Sequence, residues 1–124
     1  MTTPNRTDIV LLSIELERQR QDKLIENGRI PFDLTDVTID DPTKLSVLME
    51  EVGEIARSLN EEIGLDNGLD NLYIELVQVA AVATAWAESI HQLREYVNTA
   101  TAALRLVASR TPVPVREGVR GTGL

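Results

Sequence analysis

Cysteine is absent from the 124 residues, and histidine occurs once, at His91. Without cysteine there are no disulfides, thiolate metal sites or cysteine nucleophiles, which fits a reducing compartment. A single histidine with no nucleophile context reads as a surface or helix-end residue. Aromatic residues make up 3% of the chain against 43% apolar residues overall, so a core must be built from Leu, Ile, Val and Ala. Such a core suits packed helices better than a sandwich. Cationic residues are also short: 12 Lys and Arg face 20 Asp and Glu, for a net charge of −8. Nucleic-acid polymers need a basic face, so they are not expected as partners. A nucleotide is still admissible, because a divalent metal can bridge acidic protein to phosphate. The longest nearly uncharged run, 76–87, is much shorter than the ~20 residues of a membrane span, and no membrane association is expected. The first residues lack the basic-then-apolar form of a signal peptide, so a cytoplasmic protein is expected.

What is present is helical periodicity. A first helix is predicted over 5–27, with Ile9, Leu12, Leu16 and Leu24 near helical spacing, Asn5 or Thr7 as cap and Gly28 as stop. Its polar stretch, 15–23, reads as a solvated face. The alternative is that Arg18, Arg20 or Lys23 leans over an acidic site. Residues 29–42 carry Pro31 and the acidic Asp33, Asp36, Asp40 and Asp41 without sustained period. They read as a loop, with a short turn or strand at 37–39, and loops of this length are often functional. Asp40 and Asp41 before Pro42 make a favourable helix entry.

The second helix is expected over 42–63, with Leu45, Leu48, Met49, Val52, Ile55, Ala56, Leu59 and Ile63 on one stripe. At 100° per residue Glu51 lies roughly 100° and Glu54 roughly 160° from the stripe centre. Gly53 either permits close approach of a backbone or ligand, or is a neutral surface glycine. Residues 64–71, dense in Gly, Asn and Asp, read as a turn making the second and third helices antiparallel neighbours. The third helix, placed over 72–93, is apolar almost all round. Glu75 therefore stands out, since a buried carboxylate must be paired, protonated or metal-bound. Trp86 reads as core, with a base-stacking wall as the alternative. Residues 94–108 form a fourth helix or a continuation. The segment 109–124 is expected to be a flexible basic tail behind a helical domain over 1–108.

Residues three apart share a helix face, so Glu51 with Glu54 and Glu75 with Gln78 make two oxygen pairs on two helices. In an antiparallel hairpin the four side chains can converge, which is how helical bundles build metal sites. Glu50-Glu51-Val52-Gly53-Glu54 followed by Glu75-Leu76-Val77-Gln78 resembles the MazG-like family of all-α nucleoside triphosphate pyrophosphohydrolases. Its pattern is EExxE on one helix and ExxD on the next; Gln78 replaces the final aspartate. The resemblance covers roughly residues 43–90. It implies an all-α bundle of four to five helices completed by homo-oligomerisation into a dimer or tetramer. It also implies Mg²⁺-dependent cleavage, with Mn²⁺ as a substitute, of a nucleoside triphosphate to the monophosphate and pyrophosphate. By motif position Glu51, Glu54 and Glu75 are the metal ligands, with Gln78 in the fourth ligand position; Glu50 is an outer-shell residue, a ligand or a base that orients the water, so Glu50 and Glu51 are the candidate catalytic residues. Lys44 and Arg57 are the candidate phosphate contacts. Glutamine at 78 offers a carbonyl oxygen but one negative charge fewer. A catalytically weak or silent helical oligomer that binds nucleotides or proteins is therefore the competing expectation.

Overall fold

The computed structural model of the chain describes residues 2–61, 65–110, 112 and 114. They hold three helices: α1 (Arg6–Glu26), α2 (Asp41–Asn60) and α3 (Leu65–Arg110). The chain is all-α, but with fewer helices than the expected four to five. One expected break is missing, and one open alternative is decided. Leu65 to Asn71 is helical, not a turn, and residues 94–108 continue α3 without interruption. Most of the expected tail, the last two residues of the expected second helix (62–63) and the first of the expected turn (64) lie outside the described residues. The chain divides into two units, Met1–Leu93 and Arg94–Leu124. No helix among the described residues is long and apolar enough to cross a membrane.

Capping explains where the first two helices begin. Asn5 accepts from the Asp8 amide at 2.9 Å while the Asp8 carboxylate receives the Asn5 amide, a reciprocal capping box. Asp40 accepts from the Thr43 amide at 2.9 Å, with Pro42 tolerated in the first turn. Gly28 ends α1 in the left-handed region at φ 70°, where a side chain is disfavoured.

The segment joining α1 to α2 contains no strand. It is held by two successive side-chain turns. Asp33 accepts both the Thr35 amide, at 2.9 Å, and its hydroxyl, at 2.6 Å. Asp36 does the same for Thr38, at 2.8 and 2.7 Å. These bonds hold the Asp36 carboxyl below its ordinary range, first through the Thr38 amide and then through its hydroxyl. Leu34 is thereby turned inward onto Val82 and Ala85, with Val47 and Leu48 of α2 beside them.

In the first unit α2 and α3 run antiparallel. Asp41 and Lys44, at the start of α2, meet Trp86 and Ser89 of α3, while Glu51 is coupled to Glu75 three to four turns earlier on α3. α1 is attached through Tyr73, whose hydroxyl donates to Ser13 Oγ at 2.8 Å, and through a bidentate Arg18–Glu88 pair. Trp86 is half-buried and its indole N–H donates to Asp41 Oδ1 at 3.0 Å, so it is neither deep core nor an open stacking wall.

Much of the expected apolar stripes faces outward in the single chain, although Leu24, Leu48 and Ile55 are half-buried. Leu45, Met49, Val52 and Leu59 of α2 are 38–60% exposed, and Ile9, Leu12 and Leu16 of α1 are 50–55% exposed. The packed face of α2 instead carries Lys44, Val47, Leu48, Glu51, Ile55 and Ser58, a set centred near Glu51. It is turned roughly 120° from the exposed apolar residues. In the second unit every described residue of α3 is exposed, including Tyr96, Val97 and Leu104.

The two glycines test the backbone reasoning. A Cβ at either Gly28 or Gly53 meets nothing within 4 Å, so conformation alone decides the effect of a substitution. No atom of the described chain makes the close approach at Gly53. Gly28→Ala is expected to destabilise the fold by about 1 kcal/mol, because alanine disfavours positive φ. Gly53→Ala, in a helix interior, is expected to stabilise it by about 0.5–1 kcal/mol. Urea unfolding of the two variants should therefore move in opposite directions.

Candidate functional site

Glu51 sits on the packed face of α2, where burial is the main influence raising its carboxyl above the ordinary 4.5. The charges of Glu75 on α3, Glu50, Glu17 on α1 and Glu54 add to the rise, in that order. Three helices thus bring carboxylates to one place. Glu75 shows the strain most directly, since its Oε2 is buried with no hydrogen-bond partner among the described residues. A buried oxygen of this kind normally has a donor or a cation.

Arg57 is close to the patch. Its guanidinium pairs with Glu61 at 3.0 Å and Glu54 at 3.7 Å. Its pKa is raised by the Glu61 hydrogen bond, with further contributions from the charges of Glu61, Glu54 and Glu75. Arg20 borders the patch from α1. It is bidentate to Glu17 at 2.8 and 2.7 Å and also feels the charge of Glu51. Gln78 is half-buried one turn after Glu75 on α3.

Lys44 is the correction among the expected site residues. It is 1% exposed, and its ammonium donates to the Asp36 carbonyl and to Ser89 Oγ, both at 2.8 Å. Ser89 lies fourteen residues beyond Glu75, roughly 21 Å along α3. Lys44 therefore reaches away from the carboxylates and joins the α1–α2 segment to α3. It does not stand where a phosphate would meet the carboxylates. The sequence hides this role because a lysine near acidic motif residues looks like an anion contact.

A cavity of about 330 Å³ adjoins the patch, bounded by α1, the following segment, α2 and α3. Glu50 and Glu51 form part of its wall, and Arg18, Phe32, Asp33 and Leu34 form others. Arg18 was the alternative reading of the polar stretch, and it does line the cavity, with its fork held by Glu88. Glu17, Phe32, Asp33 and Glu88 had no role in the sequence reading. One signal for Glu17 was available: Ser13, Glu17, Gln21 and Leu24 share a helix face with Ile14, Arg18 and Ile25. A wheel drawn on apolar residues alone discards that face.

The donor set suits a hard divalent cation, being carboxylate oxygens with one buried and unpartnered. As the side chains stand, no three His, Asp or Glu residues among those described are gathered so as to hold a metal ion. Glu54 turns toward Arg57 instead. No family model matches the chain, and no curated protein or solved structure is significantly similar to it.

The raised Glu51 carboxyl has a stability consequence. A group whose pKa is higher folded than unfolded favours folding below its unfolded value, and that stability is lost as pH rises through the folded value. Glu51→Gln should therefore melt at a higher temperature than the wild type at pH 8, with the difference closing as pH falls toward 4.5. A destabilised Glu51→Gln at pH 8 would refute the electrostatic reading.

Proposed function

We propose that the chain is a Mg²⁺-dependent nucleoside triphosphate pyrophosphohydrolase of MazG-like type, acting in the cytoplasm as a homo-oligomer. The observation that carries this reading is the meeting of Glu51 and Glu75 on adjacent antiparallel helices, with Glu75 Oε2 buried and unpartnered. The two halves of the sequence motif supply these two residues.

In the reaction, water attacks the α-phosphorus, the bond from that phosphorus to the bridging oxygen breaks, and pyrophosphate leaves. Glu51, Glu54 and Glu75 would hold the ion, with the Gln78 carbonyl as a neutral donor. A bound Mg²⁺ supplies charge neutralisation for the phosphates and acidifies a water. Glu51, as a carboxylate beside the ion, would help to place the attacking water. Glu50, on the cavity wall beside it, orients that water. Arg57, exposed at the edge, can exchange its carboxylate partners for substrate phosphate.

The outward apolar faces of α1 and α2 support the oligomer. Monomeric proteins rarely leave such surface uncovered, and the inward face centred on Glu51 leaves these residues for a second copy. The neutral Gln78, with no metal cage gathered among the described residues, favours a second reading, a catalytically silent oligomer that binds nucleotides or proteins.

Pyrophosphate release from a panel of NTPs and dNTPs with Mg²⁺ or Mn²⁺ decides between them. Activity should fall by about a hundredfold or more in Glu51→Ala and Glu75→Gln, a loss at least as large as that for metal-supporting residues. Gln78→Asp should tighten Mg²⁺ binding. No release from any triphosphate, with no calorimetric Mg²⁺ binding, would overturn the hydrolase. Sedimentation at micromolar concentration should show a dimer or larger species, and Met49→Lys should shift it toward monomer.

A further inference from the structure

The part of α3 in the second unit runs from Arg94 to Arg110, and every residue of this arm is exposed. Asn98, Thr99 and Thr101 are weak helix formers, and a helix of this length is marginal in water unless one face packs on something. Its apolar residues nevertheless keep a regular order. Leu93, Val97, Ala100 and Leu104 follow one another at intervals of four, three and four, with Val107 three further on. Val97 is 63% and Leu104 71% exposed. Leu45, Met49, Val52 and Ala56 of α2 keep the same intervals, with Leu59 three further on, and they too are exposed. This alternation lets the side chains of one helix seat between those of another.

Charge divides the chain at the same place. Residues 1–93 hold 18 acidic and seven cationic side chains, whereas residues 94–124 hold two acidic and five cationic, all of them arginine. On the arm, Arg94 and Arg105 lie three turns apart on one flank of the apolar stripe, and Arg110 lies on the other flank. A second arm would therefore meet this one with like charge, and a second copy of 1–93 would meet the first with more. The arm of one copy and residues 1–93 of another are the complementary pair.

We infer that the arm of one copy lies along the outward α2 stripe of a second copy. The inference rests on the homo-oligomer proposed above and names what covers its apolar face. Val97 and Leu104 of the arm pack on Leu45, Met49 and Val52, and the small Ala56 and Ala100 allow the two helices to approach. The arm gains the packed face that its weak propensity requires. When each copy gives its arm to the other, the contact is made twice and the assembly closes as a two-fold dimer.

The absence of cysteine allows the contact to be measured with single engineered thiols. Full-length Val52→Cys and Ala100→Cys, each at the middle of its stripe so that either helix direction brings them near, are mixed in equal amounts and treated with a short bismaleimide. Circular dichroism checks that each variant keeps its helices. The mixed product should exceed the half that random pairing gives. Leu104→Asp, or Arg94→Glu with Arg105→Glu, added to the Ala100→Cys copy should reduce it severalfold. Dominance of the Ala100→Cys homodimer, an arm on an arm, or of the Val52→Cys homodimer would overturn the inference. So would a monomeric cross-linked product from the double variant, which reports an arm on its own chain. Capture of the full chain by anionic phosphatidylglycerol vesicles with loss of the mixed product would overturn it as well. A mixed product without pyrophosphate release from any triphosphate would uphold the arm and refute the hydrolase. Triphosphate cleavage with no mixed product would do the reverse.

Discussion

Lys44 is the constraint on which the rest of the first unit depends. It is a cation at 1% exposure with no carboxylate in its hydrogen-bond shell, held by one backbone carbonyl and one hydroxyl. A buried ammonium is costly unless its donors are used, so the acceptors have to be present before the helix pair can close. Ser89 is available because its own hydrogen goes to the Trp86 carbonyl at 2.7 Å, leaving a lone pair for Lys44. The Asp36 carbonyl is available because the Asp36 side chain has folded the chain around Thr38. One side chain thus sets the register of α2 against α3 and anchors the segment whose earlier half, 31–35, walls the cavity.

That anchoring explains how an acidic patch can be packed at all. Glu51 lies near the centre of the α2 packed face, where neighbouring carboxylates and burial both oppose its charge. Nothing local stabilises that choice. The helix could rotate to put Leu45, Met49 and Val52 inside and Glu51 in water, as the hydrophobic pattern prescribes. Lys44 at one end, with Val47 and Leu48 against Val82, Ala85 and Leu34, resists that rotation. The cost is visible twice, in the raised Glu51 carboxyl and in the unpartnered Glu75 oxygen. Local rules broken at one place, with the compensation supplied elsewhere, are what a functional site looks like in an otherwise consistent fold.

The all-α class, the first helix, the Asp40 entry to the second and the Gly28 stop were legible in the residues, because caps and left-handed positions are local chemistry. The helix rotations were not. Periodicity reports that Leu45, Met49 and Val52 share a face; it does not say whether that face meets this chain or another. The break expected at 64–71 failed for a related reason. Gly68, Asp70 and Asn71 each disfavour helix weakly, and continuation of a long helix overrides such preferences. The Glu51–Glu75 meeting was legible because motif spacing specifies a face. Lys44 was misread because its acceptors, Asp36 and Ser89, lie eight and forty-five residues away in sequence.

The glutamine at 78 takes on a different meaning once Glu17 is placed. A carboxylate that the two-part motif does not contain approaches Glu51 from α1, so the patch holds five carboxylates, at 17, 50, 51, 54 and 75. Arg20 and Arg57 are the guanidiniums that feel these charges, and both are already bonded to glutamates. A further aspartate at 78 would have added repulsion to a site that already drives Glu51 toward its protonated form. A neutral oxygen there keeps a donor and spares a charge. On the proposed reaction, a triphosphate cannot approach such a surface unaided, because like charges a few ångströms apart repel by several kcal/mol at partly buried sites. The divalent cation is then the condition of binding as well as of chemistry.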